Sequence, residues 1–176
     1  MRLRDLALEI WLLLFAPGRA MLRAQSLMMK PEPILLVEDD ASHAALTLRA
    51  LSRSILANEV VVARDGAEAL DYLFATGPHA GRDPKRQPSV VLLDLKLPKV
   101  SGADVLRRMR ADERTRRVPV VILTSSDSEQ DITFTCKLGA NGYVTKSADS
   151  AKFSEAVARL GDCWMRGGKT PPEERA

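Results

Sequence analysis

Residues 34–40 read ILLVEDD, in which four consecutive aliphatic residues are followed at once by three carboxylates. The pattern returns twice, because VVLL at 90–93 precedes Asp94 and VPVVIL at 118–123 precedes Thr124. Runs that are apolar on both alternating faces are typical of strands buried between two layers of helices. These stretches therefore predict a parallel sheet whose polar side chains gather where the strands end.

Five strand-plus-helix units follow one another after Pro33, which is the pattern of an α/β protein. The predicted strands are Ile34–Val37, Glu59–Ala63, Val90–Leu93, Val118–Leu123 and Gly142–Thr145. The predicted helices are Ser42–Leu56, Ala67–Phe74, Ala103–Asp112, Glu129–Leu138 and Ser150–Trp164. Right-handed crossovers place helices on both faces of such a sheet, so the expected fold is a doubly wound (βα)5 parallel sheet.

The composition fits one ordinary domain, since the 176 residues are 45% hydrophobic and 28% charged. Cys136 and Cys163 are far apart, and the chain has no CxxC pair or histidine at metal-ligand spacing. Neither a disulfide framework nor a zinc site is therefore indicated, and a reducing cytoplasm is the expected location.

The first thirty residues are expected to lie outside the domain. They contain five basic and two acidic residues, whereas 21 of each follow, so the pI near 9.0 reflects this segment and is weak evidence for nucleic-acid binding. Residues 1–30 are expected to precede the true start codon or to form an amphipathic helix that meets a membrane or a partner. The apolar stretch at 6–16 is too short to span a bilayer. Residues 167–176 are polar and are expected to fray.

Polar side chains follow four of the five predicted strands and should meet at one edge of the sheet. Carboxylates at 38–40 and Asp94 crowd negative charge there, which is costly unless a cation compensates it. Oxygen donors favour a hard ion such as Mg²⁺. Thr124 adds a hydroxyl and Lys146 a fixed positive charge. This combination suits a phosphoryl group and a carboxylate that attacks phosphorus to form an aspartyl phosphate.

Each of these residues also has an ordinary structural interpretation. A carboxylate or Thr124 after a strand often caps the following helix, and Lys146 can be an exposed loop cation. Their joint occurrence at one sheet edge favours a site.

Four ordered motifs carry a family resemblance: ILLVEDD at 34–40, DLKLP at 94–98 with Gly102, PVVILT at 119–124 and GANGYVTK at 139–146. Over residues 32–165 the chain resembles a response-regulator receiver domain, which implies a domain at 31–166. The resemblance also implies the flavodoxin-like strand order 2-1-3-4-5.

The resemblance implies specific roles for the edge residues. Asp94 would be the phosphoacceptor, and Mg²⁺ would be held by Asp39, Asp94 and the backbone carbonyl of Lys96, with Glu38 acting through water. Lys146 would contact the phosphoryl oxygens. Thr124 would move toward the phosphoryl group and the Tyr143 ring would swing inward, which makes a two-state switch. The alternative for Tyr143 is a half-buried strand aromatic with its hydroxyl in water.

The chain departs from the family pattern after Lys146, where receivers usually have a proline in a cis peptide bond and this sequence has Ser147. A cis bond before serine costs about 2.5–4 kcal/mol, so the local geometry stays open. Lys96 and Ser126 occupy positions that tune dephosphorylation in the family.

Few residues follow the last predicted helix, so the output is expected to act through protein contact. The long loop Thr76–Pro88 and the ending Asp162-Cys163-Trp164 resemble stand-alone receivers paired with bacterial phytochrome histidine kinases. That implies a histidine kinase donor, a downstream phosphotransfer protein or target, and a homodimer. Trp164 and Phe134 are candidate contact aromatics, unless both close the core. The arginine-rich run at 107–117 is expected to be solvated rather than to bind nucleic acid.

Two other functions compete with a phosphorylated receiver. One is a receiver-like adaptor that never becomes phosphorylated, against which the complete set of edge residues argues. The other is a phosphatase of the haloacid-dehalogenase type, which needs an aspartate two residues after its nucleophile, where this chain has Lys96.

Overall fold

The computed structural model describes residues 32–54, 59–125, 129–146 and 149–165. The strands are β1 Ile34–Val37, β2 Val60–Ala63, β3 Val90–Asp94, β4 Val120–Thr124 and β5 Gly142–Thr145. The helices are α1 Ala41–Ser54, α2 Gly66–Phe74, α3 Gly102–Ala111, α4 Glu129–Lys137 and α5 Ser150–Met165. The expectations for residues 1–30 and 167–176, for Ser126 and Ser147 and for the Trp164 side chain fall outside what is described.

All neighbouring strands are parallel, and their order in the sheet is β2-β1-β3-β4-β5. This confirms the expected doubly wound, flavodoxin-like fold. The register places Val37 opposite Leu93 and Asp94 opposite Leu123, so the carboxyl ends of β1, β3 and β4 lie side by side. The residues that follow these strands are thereby brought to one edge.

Side chains of the sheet alternate between two cores, one on each face. One core packs the sheet against α2 and α3 and contains Leu35, Val37, Val91, Leu93, Leu73, Leu106 and Met109. The other packs it against α1 and α5 and contains Ile34, Leu36, Val90, Leu92, Leu51, Phe153 and Val157. Because both faces are covered, polar groups collect where the strands begin and end.

The predicted strand at 118–123 begins too early. Pro119 has no N–H to donate, and β4 starts only at Val120. The Val118 N–H is used in a turn instead, where it donates to the Thr115 carbonyl at 2.9 Å. Helix α2 begins at Gly66, one residue earlier than predicted. Asp65 caps it, because its side chain accepts a hydrogen bond from the Glu68 N–H at 2.8 Å.

The predicted long loop at 76–88 contains one 3₁₀ turn, Gly77–His79, and is tied to α2. The Arg82 guanidinium stacks on the Tyr72 ring at 3.6 Å and also donates to the Tyr72 carbonyl. The Gln87 amide donates to the Leu73 carbonyl at 2.9 Å. The loop therefore packs on the last turn of α2.

Arg110 joins three elements at the edge where the strands begin. Its guanidinium donates to the Gly139 carbonyl at 2.8 and 2.9 Å, to the Val118 carbonyl at 3.0 Å and to Asn141 Oδ1 at 3.0 Å. Asn141 Oδ1 also accepts from the Val120 N–H at 2.9 Å. The end of α3, the start of β4 and the α4–β5 loop are thus fastened together.

Candidate phosphorylation site

The carboxyl edge of the sheet brings together three acidic side chains. Glu38 and Asp39 follow β1, and Asp94 is the last residue of β3. Each offers a carboxylate oxygen, and these oxygens all lie within 4.8 Å of one another. Glu38 and Asp94 are buried, at 2% and 7% exposure, whereas Asp39 is exposed. The cluster therefore opens to solvent on the side of Asp39.

Asp40, the third acid of the run, has a different role. Its Oδ1 accepts hydrogen bonds from the N–H groups of Ser42 at 2.8 Å and His43 at 2.9 Å, at the start of α1. The bond from His43, with that from Ser42, holds the pKa of Asp40 below its usual value. The helix-capping interpretation is thus correct for Asp40, while Glu38 and Asp39 are the acids of this run that lie beside Asp94.

Lys146, which follows β5, supplies the cation of the site. Its Nζ lies 2.5 Å from Asp94 Oδ2 and 2.6 Å from Glu38 Oε2. Burial opposes the charged form of this lysine, but the two carboxylates outweigh it and the pKa of Lys146 is raised. Its backbone N–H donates to the Thr124 carbonyl at 2.6 Å, so the pairing of β4 and β5 fixes where the side chain starts.

Glu38 is the least satisfied group of the site. Its Oε2 lies 2.6 Å from Lys146 Nζ and forms an ion pair with it. Among the residues that the structure describes, none donates to Oε1, and His43 Nδ1 lies 3.7 Å away. Burial raises the pKa of Glu38 despite the opposing effect of Lys146. The pocket thus holds a carboxylate that a second cation would stabilise.

The backbone after Asp94 is held close to that residue. The Lys96 N–H donates to Asp94 Oδ1 at 3.1 Å, while Lys146 holds the other oxygen, so the carboxylate is fixed on both sides. A Cβ on Gly102 would lie 2.0 Å from the Asp94 carbonyl oxygen, which explains the need for glycine at the start of α3.

The two residues expected to form a switch differ in exposure. Thr124 ends β4 and is 4% exposed, whereas Tyr143 on β5 is 43% exposed. Phe134 on α4 is 47% exposed, so the alternative in which this ring closes the core is wrong. Tyr143 is therefore partly exposed, whereas Thr124 is buried.

The fold and the edge cluster together define a receiver domain. Residues 34–158 match the model of the response regulator receiver domain, and the chain belongs to this family.

The particular relatives are response regulators. The chain is similar to Response regulator Rcp1 of Synechocystis sp., with 33% identity over 77% of this chain and 90% of Rcp1. The crystal structure of the Mn²⁺-bound form of Rcp1 matches with a TM-score of 0.72, covering 80% of this chain and 99% of Rcp1. The phosphorylated cyanobacterial phytochrome response regulator RcpA is 37% identical over 80% of this chain and 99% of RcpA, with a TM-score of 0.73. The bacteriophytochrome response regulator RtBRR is 49% identical over 81% of this chain and 85% of RtBRR, with a TM-score of 0.66.

Sequence reasoning missed two contacts near the site. It did not assign a place to His43, which lies 3.7 Å from Glu38 Oε1. It also did not pair Lys99 with Asp65, whose charged atoms are 2.5 Å apart. A residue spacing of 34 gives no local pattern from which the second contact could be inferred.

None of the described helices has the length and apolar character needed to cross a membrane.

Proposed function

We propose that this chain is a response regulator of a two-component phosphorelay that accepts a phosphoryl group on Asp94. The observation that carries the proposal is the Asp94 carboxylate, which is held by Lys96 N–H and Lys146 and lies beside the carboxylates of Glu38 and Asp39. A carboxylate fixed in this way needs little reorganisation before it attacks phosphorus.

The residues of the pocket fit a divalent cation. Three carboxylates face one ammonium, which leaves two net negative charges in a partly buried pocket, and Oε1 of Glu38 lacks a hydrogen-bond donor within the described chain. All the side-chain donors are oxygens, which Mg²⁺ prefers. Asp39, Asp94 and the Lys96 carbonyl would hold the ion, with Glu38 acting through water. When bound, Mg²⁺ neutralises negative charge on the phosphoryl oxygens.

The side chains of the pocket divide the work of phosphoryl transfer. A carboxylate oxygen of Asp94 forms a bond to phosphorus while the P–N bond of a phosphohistidine breaks and the imidazole leaves. Lys146 contacts the phosphoryl oxygens and offsets their charge. The Thr124 hydroxyl donates to the phosphoryl group, and the Tyr143 ring moves inward behind it. The protein in this account catalyses its own phosphorylation and slow dephosphorylation and is not otherwise an enzyme.

The donor is a histidine kinase, and the similarity to RcpA and RtBRR supports a bacterial phytochrome as that kinase. The homodimer contact is the face that ends in α5, with the exposed Phe134 as a contact aromatic. The output surface is the one formed by α4, β5 and α5, which carries the exposed Tyr143. A downstream phosphotransfer protein or target binds there, in the cytoplasm, and the chain acts either as a switch or as a phosphate sink.

The test is intact mass after incubation with acetyl phosphate and MgCl₂. Wild type should gain one phosphoryl group, while Asp94→Asn and a metal-free sample should gain none. Asp94→Asn is the control because it keeps the size of the side chain while it removes the charge and the attacking oxygen of the carboxylate.

An unmodified wild type would be tested further with beryllofluoride, which exposes a site whose phosphoryl group is hydrolysed too fast to detect. No response to either reagent would contradict phosphorylation and support the adaptor function. Steady turnover of a simple phosphate ester would instead support the phosphatase.

A further inference from the structure

The loop between β3 and α3, residues 95–101, is confined between two glycines. Gly102, the first residue of α3, lies against Asp94, the residue that precedes the loop. A Cβ on Gly102 would lie 2.0 Å from the Asp94 carbonyl oxygen. Near the end of the loop, a Cβ on Gly66 would lie 2.0 Å from the Val100 carbonyl oxygen. The loop that follows the phosphoacceptor therefore packs directly against the first residues of both α2 and α3.

Lys99 occupies an unusual position in this loop. Its φ of 62° is left-handed, a conformation that disfavours residues with a Cβ. Its ammonium reaches across to α2 and lies 2.5 Å from Asp65 Oδ2. The left-handed residue thus also forms an ion pair, which connects the β3–α3 loop to the residue that caps α2.

Asp65 is itself held in place at the start of α2. Its other oxygen accepts from the Glu68 N–H at 2.8 Å and caps α2, and its side chain is only 10% exposed. The Lys99 ammonium, together with the Glu68 N–H, holds the pKa of Asp65 below its usual value. A charged carboxylate fixed to a helix end can therefore hold the loop through Lys99.

We propose that Lys99 and Asp65 form a positioning pair for the phosphorylation site. The pair fixes the loop that contains Lys96, whose N–H holds Asp94 and whose carbonyl would hold the divalent ion, and so increases metal affinity and the phosphorylation rate. This inference rests on the proposed function. It concerns a contact that lies outside the acidic pocket and touches neither metal nor phosphoryl group.

The effect is expected on the site more than on global stability. Lys99 is 68% exposed in its side chain, and exposed ion pairs contribute little to folding. Small displacements of a ligand or of a reacting group, by contrast, lower affinity and rate strongly. A measurement at the site can therefore separate positioning from ordinary structural support.

The test compares Lys99→Gln, Asp65→Asn and the double variant with wild type. Asparagine at 65 still caps α2, so the variants remove charge and keep the helix start. Free Mn²⁺ is followed by electron paramagnetic resonance, and the rate of phosphorylation by acetyl phosphate is measured on the same samples. Each single variant should raise the Kd for Mn²⁺ about three- to tenfold, with no further loss in the double variant. Lys99→Arg should restore the Kd to within about twofold of wild type.

Arg107→Gln is the matched control, because it breaks an ion pair with Asp104 on the exposed side of α3. It should leave the Kd unchanged. Wild-type affinity in Lys99→Gln, or in Lys99→Gly, would overturn the positioning role while leaving phosphorylation of Asp94 intact. Absence of Mn²⁺ binding and of phosphorylation in the wild type would overturn the proposed function and this inference together.

Discussion

The two edges of the sheet differ in how completely their charged groups are hydrogen-bonded. At the edge where the strands end, three carboxylates share one ammonium, and Glu38 keeps an oxygen without a donor among the described residues. At the edge where the strands begin, the Arg110 guanidinium donates to the carbonyls of Val118 and Gly139 and to Asn141. The first edge has an excess of negative charge. At the second edge the guanidinium is hydrogen-bonded to uncharged oxygen atoms.

This difference teaches which charges stabilise the fold and which serve chemistry. Charged groups with complete hydrogen bonding support a structure, whereas crowded and poorly satisfied ones are costly and are kept where a ligand completes them. Substitutions at the two edges should therefore have opposite effects on stability and activity.

The largest effect is expected from Lys146→Met. Removal of the ammonium from Asp94 and Glu38 should lower the rate of phosphorylation by acetyl phosphate about 100-fold or more. Lys152→Met is a suitable control, since Lys152 is exposed on α5 with only a 4.0 Å contact to Asp149. A rate for Lys146→Met within about threefold of the control would show that the ammonium has no role in the reaction.

Arg110→Met should give the second-largest effect, on stability alone. The variant leaves the carbonyls of Val118 and Gly139 without their donor, and the free energy of unfolding in urea should fall by about 2–3 kcal/mol. The Kd for Mn²⁺ should stay at the wild-type value. Arg108→Met on the exposed face of the same helix should be neutral, and an equal loss in both variants would contradict the distinction.

Glu38→Gln should invert the usual outcome of a substitution in a buried site. The glutamine removes a poorly satisfied charge, so in the absence of divalent ion the free energy of unfolding should rise by about 1 kcal/mol. Affinity for Mn²⁺ should fall at the same time. Loss of stability in the metal-free variant would mean that the ion pair with Lys146 outweighs the burial of Glu38.

The smallest effect is the pH dependence of the stability that Glu38→Gln gains. The pKa of Glu38 is raised by burial, so the folded state binds a proton more tightly than the unfolded state at this residue. The stability that this residue contributes is present below its usual pKa of 4.5 and is lost as pH rises through the raised value. Urea unfolding of metal-free protein at about pH 5 and about pH 8 should show a larger gain for Glu38→Gln at the higher pH. A larger gain at the lower pH would contradict the direction of the shift.

Much of the carboxyl edge could be predicted from sequence. The strand Ile34–Val37 and the residues after it are local signals, and parallel topology alone brings Glu38, Asp94 and Lys146 together. The division of the acidic run was not settled by the pattern, because any of the three acids could have capped α1. The hydrogen bonds to Asp40 decide it.

The amino edge and the Lys99 contact could not be predicted in this way. Arg110 belongs to a run of arginines and has no local feature that separates it from its solvated neighbours. Its role depends on the α4–β5 loop, 29 residues further along the chain, where Gly139 accepts its hydrogen bonds. Lys99 likewise depends on Asp65 in another unit. Such contacts arise from packing of elements rather than from periodicity.

The most direct test of the central claim is to locate the phosphoryl group chemically. After reaction with acetyl phosphate and MgCl₂, borohydride reduction converts an aspartyl phosphate to homoserine, and peptide mass spectrometry identifies the residue changed. The account predicts homoserine at position 94 in wild type and none in a metal-free sample. Homoserine at Asp39 or at any other aspartate, with Asp94 intact, would contradict it.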